Sequence, residues 1–479
     1  MTTTLDGRKR WFALIVLCLG DLMTVLDTTI VNVALPSIRV DLGFSQTALG
    51  WVVNGYMLTF SGFLLLGGRL GDLFGHRRLF LFGIALFSLA SLACGVAETR
   101  GLLIAARAVQ GLGGALISAM ALSLIMYLFK EQAERAKAMG IFGFVVAAGG
   151  SIGVLLGGFL TDSFDWHWIF LVNLPVGAAV FGLCLALLPS ARGLRGARLD
   201  IAGAVTVTLS LLLAIYAVVD GNNAGWRSAQ TLGLFGVAAI LLVLFLGIEM
   251  RAAAPIMPLG LFRFRNLAIA NVIGVLWAAA MFAWFFISAL YLQMVLGYSP
   301  LDVGLSFLPA NLIMAAFSLG LSAKLVMRFG TRLPLAGGLF LAGLGLALFA
   351  LSPVGGSFLL HVLPGMTLLG LGAGMAFNPV LLIAMNDVAP SDSGLASGVV
   401  NTSFMMGGAL GLAVLASLAD ARSGKLIAAG LDMAAALTAG YHIAFALGAG
   451  FAILAAALGA LLLRAGMVVP AEEGASAAS

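Results

Sequence analysis

The stretch WFALIVLCLGDLMTVLDTTIVNVAL, residues 11–35, decides the class of this protein. It is long enough to cross the hydrocarbon core of a bilayer, which takes about 20 apolar residues rising about 1.5 Å each. It also carries two carboxylates, Asp21 and Asp27, at depths where a charged side chain costs about 2.5–3.5 kcal/mol on insertion scales. A plain apolar run reads as an anchor. One that keeps two acids reads as part of a working membrane interior.

The rest of the chain agrees. Of 479 residues, 62% are hydrophobic and only 9% are charged, against about 25% charged in soluble domains. Mean hydropathy is +1.11. A water-soluble globule is excluded, and so are collagen-like and disulfide-stapled chains. The 62 glycines keep no triplet period, and Cys18, Cys94 and Cys184 all sit in apolar runs. The net charge of +5 is scattered, not massed into a nucleic-acid surface. Runs near 11–35, 49–67, 79–97, 101–128, 138–160, 168–189, 200–219, 231–250, 267–292, 303–323, 334–352, 357–385, 394–419 and 439–464 predict fourteen transmembrane helices. The fold class expected is all-α.

Basic residues test that count. They fall in threes in alternate loops: Arg8, Lys9, Arg10; Arg69, Arg77, Arg78; Lys130, Arg135, Lys137; Arg192, Arg195, Arg198; Arg251, Arg263, Arg265; Lys324, Arg328, Arg332. The intervening loops hold only Arg39, Arg100, Arg227, Arg422 and Lys425. The positive-inside rule then places both termini in the cytoplasm. The first run lacks a small-residue cleavage site and is expected to stay as span 1. The acidic tail at 465–479 is expected to be loose.

The sequence also repeats. GRLGDLFGHR (68–77) aligns with AKLVMRFGTR (323–332), QGLGGA (110–115) with LGLGAG (369–374), and GGSIGV (149–154) with GGALGL (407–412), all near one offset. Spans 1–6 (1–190) therefore match spans 9–14 (267–464), with spans 7 and 8 (191–266) inserted. Even span numbers leave the two halves in parallel orientation, an arrangement transporters use to rock two bundles around a central site.

Few residues carry chemistry. Asp21 and Asp27 lie about 120° apart around span 1 and need not face one cavity. Each reads either as a titrating carboxylate or as an acid that ties helices together. Arg107, within span 4, cannot shed its proton and needs an anion or carbonyl partner. The second half offers only Met366 or Val362 at the matching place, which puts coupling chemistry in the first half. GGRLGDLFGHRR (67–78) gathers Arg69, Asp72, Gly75, Arg77 and Arg78 into a tight turn that suits a cytoplasmic gate. Gly140, Gly149, Gly153, Gly157 and Gly158 on span 5 allow close helix approach. Candidate pocket walls are Asn32, Asn54, Tyr56, Gln110, Trp277, Trp284, Asn311, Asn378, Asn401 and Met405. There is no Walker loop, no Cys/His metal spacing and no G-x-S-x-G elbow, so neither an enzyme nor a cofactor is expected.

These motifs together resemble the 14-helix drug:proton antiporter branch of the major facilitator superfamily over nearly the full chain. LDTTIVNVALP (26–36), GRLGDLFGHRR (68–78), RAVQGLGGA (107–115), the span-5 glycines at 140–158, WHWIFLVNLPVG (166–177) and YLQMVLGYSPLDVGLSFLP (291–309) carry the resemblance. It implies export of lipophilic drugs or antibiotics, cationic or neutral, across the plasma membrane by alternating access. Inward protons drive the cycle, through Asp27, Asp21 and Arg107, and the protein works as a monomer. Two positions depart from the branch. Val154 replaces the usual proline of span 5, and Phe404 stands where relatives often carry a polar or basic residue. The rival expectations are a proton-coupled importer on the same fold and a passive channel.

Overall fold

The computed structural model describes residues 7–44, 46–129, 131–188, 200–252, 255, 257, 259–385, 388 and 393–463. Among these there is no strand, and eleven helices are long and apolar enough to cross a membrane. The first half contains α1 (Gly7–Leu42), α2 (Gln46–Phe74), α3 (His76–Gly95), α4 (Arg100–Leu128), α5 (Gln132–Ser163) and an apolar stretch broken at Val172 into α6 (Trp168–Leu171) and α7 (Asn173–Leu187). Next come α8 (Ile201–Ala224) and α9 (Ala229–Glu249). The second half contains α10 (Arg265–Leu290), α11 (Pro300–Ala316), α12 (Ser322–Phe329), α13 (Arg332–Phe349), α14 (Leu363–Met385), α15 (Ser393–Ala428) and α16 (Met433–Leu462). The expected tail at 465–479 lies outside the described residues.

Where a helix outruns its apolar stretch, its ends are polar. α1 begins at Gly7, and its Arg10 pairs with Glu134 at the start of α5, 3.0 Å away. α5 runs unbroken through Val154 from Gln132 to Ser163. α11 ends differently. A π-helical turn at Phe317–Leu321, with Gly320 at φ +132°, separates it from α12, so the expected single span at 303–323 is kinked. Only glycine takes that backbone conformation without strain.

The sequence repeat reappears as repeated packing. Gly149, Gly153 and Gly157 of α5 face Leu22, Leu26 and Ile30 of α1. Gly407, Gly408 and Gly411 of α15 face Val275, Phe282 and Ala279 of α10 in the same way. Gly111 of α4 abuts Tyr56 of α2, and its counterpart Gly370 of α14 abuts Ala310 of α11. Gly113 abuts Phe87 of α3, and Gly372 abuts Ala342 of α13. Gly75 and Gly330, aligned by the repeat, both adopt positive φ (+94° and +73°) at a helix boundary. Apart from Gly75 and Gly330, which turn the chain, the matched glycines serve one job twice: the missing side chain lets neighbouring helices approach.

The halves join near the membrane face opposite the start of α1. Gln293 donates to the Val33 carbonyl at 2.9 Å. A Cβ on Gly158 would lie 2.5 Å from the Pro300 carbonyl oxygen, and one on Gly304 would lie 3.0 Å from the Val154 carbonyl oxygen. The inserted pair touches both halves. Thr208 of α8 donates to the Gly62 carbonyl of α2 at 2.7 Å, and Asn222 donates to the Ser417 carbonyl of α15 at 2.7 Å. α9 leans outward, with Ile240 and Val243 about two-thirds exposed (67% and 69%), as a lipid-facing helix should be.

Candidate functional site: a buried ion pair in the first half

Asp27 and Arg107 meet inside the first half, both side chains fully shielded from solvent. Arg107 donates from Nη1 to Asp27 Oδ2. Its other contacts are the Gln110 side-chain oxygen at 2.7 Å and, from Nε, the Val52 carbonyl at 2.9 Å. The guanidinium also stacks over Tyr56, 4.4 Å from the ring centroid, and lies 5.6 Å from the Phe170 ring. A guanidinium carries five donors and cannot be neutralised, so carbonyls and aromatic faces must complete its shell.

The carboxylate is equally well held. Gln110 Nε2 donates to Asp27 Oδ1 at 2.6 Å, and Asn173 Nδ2 donates to the same oxygen at 3.3 Å. Gln110 and Asn173 each also donate to Ser91 Oγ, at 2.8 and 3.4 Å. Asp27 therefore receives three donors from two other helices, α4 and α7. α3 supplies Ser91, and α2 supplies Val52 and Tyr56. Two buried atoms here lack a partner: Arg107 Nη2 and the Tyr56 hydroxyl. The pair binds five helices into one unit. A change in its charge is felt by all of them, because an unpaired charge in this setting is strongly unfavourable.

Asp21 is a separate site. It lies on the same helix, 4% exposed, and Ser118 of α4 donates to its Oδ1. Thr24 donates to the Asp21 carbonyl at 2.8 Å and lies 3.4 Å from Ser118. The 120° offset read from the sequence thus separates two hydroxyl- and amide-lined acids.

The remaining sequence candidates fall in several places. Tyr56 and Gln110, expected as pocket walls, belong to the ion-pair shell. Trp277, Trp284 and Asn311 are buried in helix packing, at 2%, 0% and 2% exposure. Asn32 donates to the Thr28 carbonyl at 3.3 Å. Asn378, Asn401 and Met405 are half-buried. Phe404, on the same α15 face, makes edge-on contacts with Phe282 and Phe377 at 6.2 Å each. Asn54 lines a cleft on the other flank of α2. The stretch 67–78, expected as a tight turn, is instead the end of α2 and the start of α3, broken only at Gly75 with its positive φ; Arg77 donates to the Leu185 carbonyl of α7 at 2.7 Å, and Arg78 is exposed. Gly140 lies within α5; its surroundings, and the side chains of Arg69 and Asp72, lie outside what the structure describes.

Sequence reasoning did not single out Ser91, Ser118 or Asn173. Asn173 left a readable signal, a lone amide in the apolar run WIFLVNLPV. Ser91 and Ser118 left none.

Comparisons place this architecture. The description of the Major Facilitator Superfamily matches residues 17–412. The puromycin resistance protein pur8 of Streptomyces alboniger is 38% identical over 422 residues, covering 88% of this chain and 84% of that protein. The cephamycin export protein CmcT of Amycolatopsis lactamdurans is 38% identical, covering 84% of each. Among solved structures, the POT family transporter PepTSo superposes with a TM-score of 0.67 at 15% identity, covering 96% of this chain and 98% of that one. That last likeness concerns the fold alone. An all-helical membrane fold, a matched pair of halves and relatives of this identity converge: the chain belongs to the Major Facilitator Superfamily, and it is a transporter, not an enzyme.

Proposed function

We propose that this protein exports antibiotics or other lipophilic drugs in exchange for protons, by alternating access of two six-helix bundles. The observation that carries the proposal is the sealed Asp27–Arg107–Gln110 cluster, found in a chain whose relatives are a resistance protein and an export protein. Asp27 is the proton carrier in this scheme. Protonation removes its charge and frees Arg107 from its ion pair. The five helices holding the pair then gain a second stable arrangement. Drug binding from the cytoplasmic leaflet favours proton loss, and proton entry from outside favours drug release.

The fourteen-span topology belongs to the same proposal. Three shorter apolar helices, Ala48–Leu64, Ile152–Ser163 and Pro300–Ala316, stand beside the eleven long ones. They occupy the places expected for spans 2, 5 and 10. The bias of Lys and Arg toward alternate loops favours cytoplasmic termini in the plasma membrane, and the seam at Gly158 and Pro300 is then the extracellular one. No cofactor is needed, because the proton gradient supplies the drive. One proton crossing about 100 mV releases roughly 2.3 kcal/mol, while a tenfold drug gradient costs about 1.4 kcal/mol. Single-proton exchange therefore sustains a modest gradient of a neutral drug, in a protein working as a monomer.

The test is a susceptibility panel in a host stripped of its own pumps. Expression should raise the inhibitory concentration of at least one antibiotic or lipophilic cation, and a protonophore should abolish the protection. A full panel without protection, or protection indifferent to the protonophore, overturns the proposal.

A further inference from the structure

A second polar site lies away from the ion pair, on the flank where the inserted α8 bridges the halves. A cleft of about 50 Å³ opens there between α2, α8, α10, α15 and α16. Asn54, Asn222, Ser417 and Asp420 line its polar side, and Phe286 and Leu290 line its apolar side. Asn54 lies about 12 Å from the start of α2, and Asp420 lies about 12 Å from the end of α15. Both line one cleft near the membrane face opposite the start of α1.

The cleft has acceptors in excess. Asn54 is 3% exposed, and its Oδ1 has no donor. The Asn222 amide donates to the Ser417 carbonyl at 2.7 Å and is also hydrogen-bonded to the Asp420 side chain. Among the described residues no ion pair reaches the Asp420 carboxylate, whose two oxygens can accept further donors; Arg39 of α1 is the basic group whose field acts on it. Asp420 stands one residue past the apolar run 394–419 and is half-buried, a place where an acid without a countercharge in contact can meet a ligand entering or leaving the membrane. A cation with several N–H donors suits a carboxylate plus a free amide oxygen. The volume admits a few water-sized groups, which is a headgroup and not a whole drug.

We propose that the Asn54–Asp420 cleft binds the ammonium group of cationic substrates close to the extracellular side. This deepens the export reading and rests on it, although the binding itself can be tested without transport. Ala416, a half-buried cleft residue, becomes the reporter as Ala416→Cys in the full chain, reconstituted in nanodiscs. The native cysteines are buried and give little background. A positively charged methanethiosulfonate should label it about tenfold faster than a negatively charged one, the scale of one carboxylate acting across a short, partly screened gap. Methylammonium, which carries three N–H donors, should slow the labelling. Adding Asp420→Asn should remove both effects, and adding Asn54→Ala should raise the methylammonium concentration needed for protection several-fold. Equal rates for the two reagents, or a preference that survives Asp420→Asn, overturns the site. In cells, Asp420→Asn should lower resistance to a lipophilic primary amine and spare a neutral antibiotic. If the unmodified protein protects against neither while the labelling pattern holds, the export reading fails and the cation site stands.

Discussion

The ion pair invites a double-mutant cycle whose asymmetry comes from the chemistry of its two members. Asp27→Asn leaves Arg107 charged, fully buried and without its anion. Its remaining acceptors are the Gln110 oxygen at 2.7 Å and the Val52 carbonyl at 2.9 Å. Breaking a buried pair from one side costs about 3–5 kcal/mol, and a guanidinium has no proton to give up in relief. Arg107→Leu leaves Asp27, which can take a proton and keep its bonds from Gln110 and Asn173. The loss is then about two neutral-partner hydrogen bonds, near 2 kcal/mol. The double variant has no stranded charge and should sit close to Arg107→Leu, well above the sum of the singles. The natural assay is thermal unfolding of purified protein in detergent. At roughly 2–4 °C per kcal/mol for a bundle of this size, Asp27→Asn should melt about 10 °C lower than the unmodified protein, and adding Arg107→Leu should recover about half of that. All three variants should lose proton-driven export. If the two single changes simply add, or if Asp27→Asn melts unchanged, the pair is not the electrostatic unit described here.

Two further substitutions test other parts of the scheme. Gly158→Ala places a Cβ 2.5 Å from the Pro300 backbone oxygen; overpacking of this kind costs about 1–3 kcal/mol. That should weaken the joined seam and cut vesicle transport roughly tenfold, whereas normal flux would show that the seam does not need this contact. Asp21→Asn retains a hydrogen-bonding partner for Ser118, so the fold and proton coupling should persist. Resistance to cationic drugs should fall more than resistance to neutral ones, and an unaltered susceptibility profile would leave Asp21 a helix tie.

The sequence exposed those parts of the structure that follow from length and period. Apolar runs mark helices because a bilayer fixes their length, and repeated glycines mark helix contacts because only a missing side chain lets backbones approach. Asp27 and Arg107 stood out because charges are rare in such runs. Their pairing was not legible, since it joins positions 80 residues apart and no periodicity links helix to helix. The shell was harder still. Tyr56 and Gln110 have the composition of pocket walls, and their role beneath the guanidinium depends on how α2 and α4 rotate against each other. The break between α11 and α12 turns on Gly320, one glycine among many. The Asn54–Asp420 cleft draws on five elements, including the inserted α8, so no local motif announces it.

Proton release on drug binding addresses the exchange itself. Purified protein in detergent, in weakly buffered solution with a pH indicator, would be mixed with a drug to which the protein confers resistance. About one proton should appear per drug bound at a pH where Asp27 is protonated before binding, and Asp27→Asn should bind the drug and release none. No release from the unmodified protein across the working pH range, or full release from Asp27→Asn, would contradict the assignment of Asp27 as the group through which drug and proton compete.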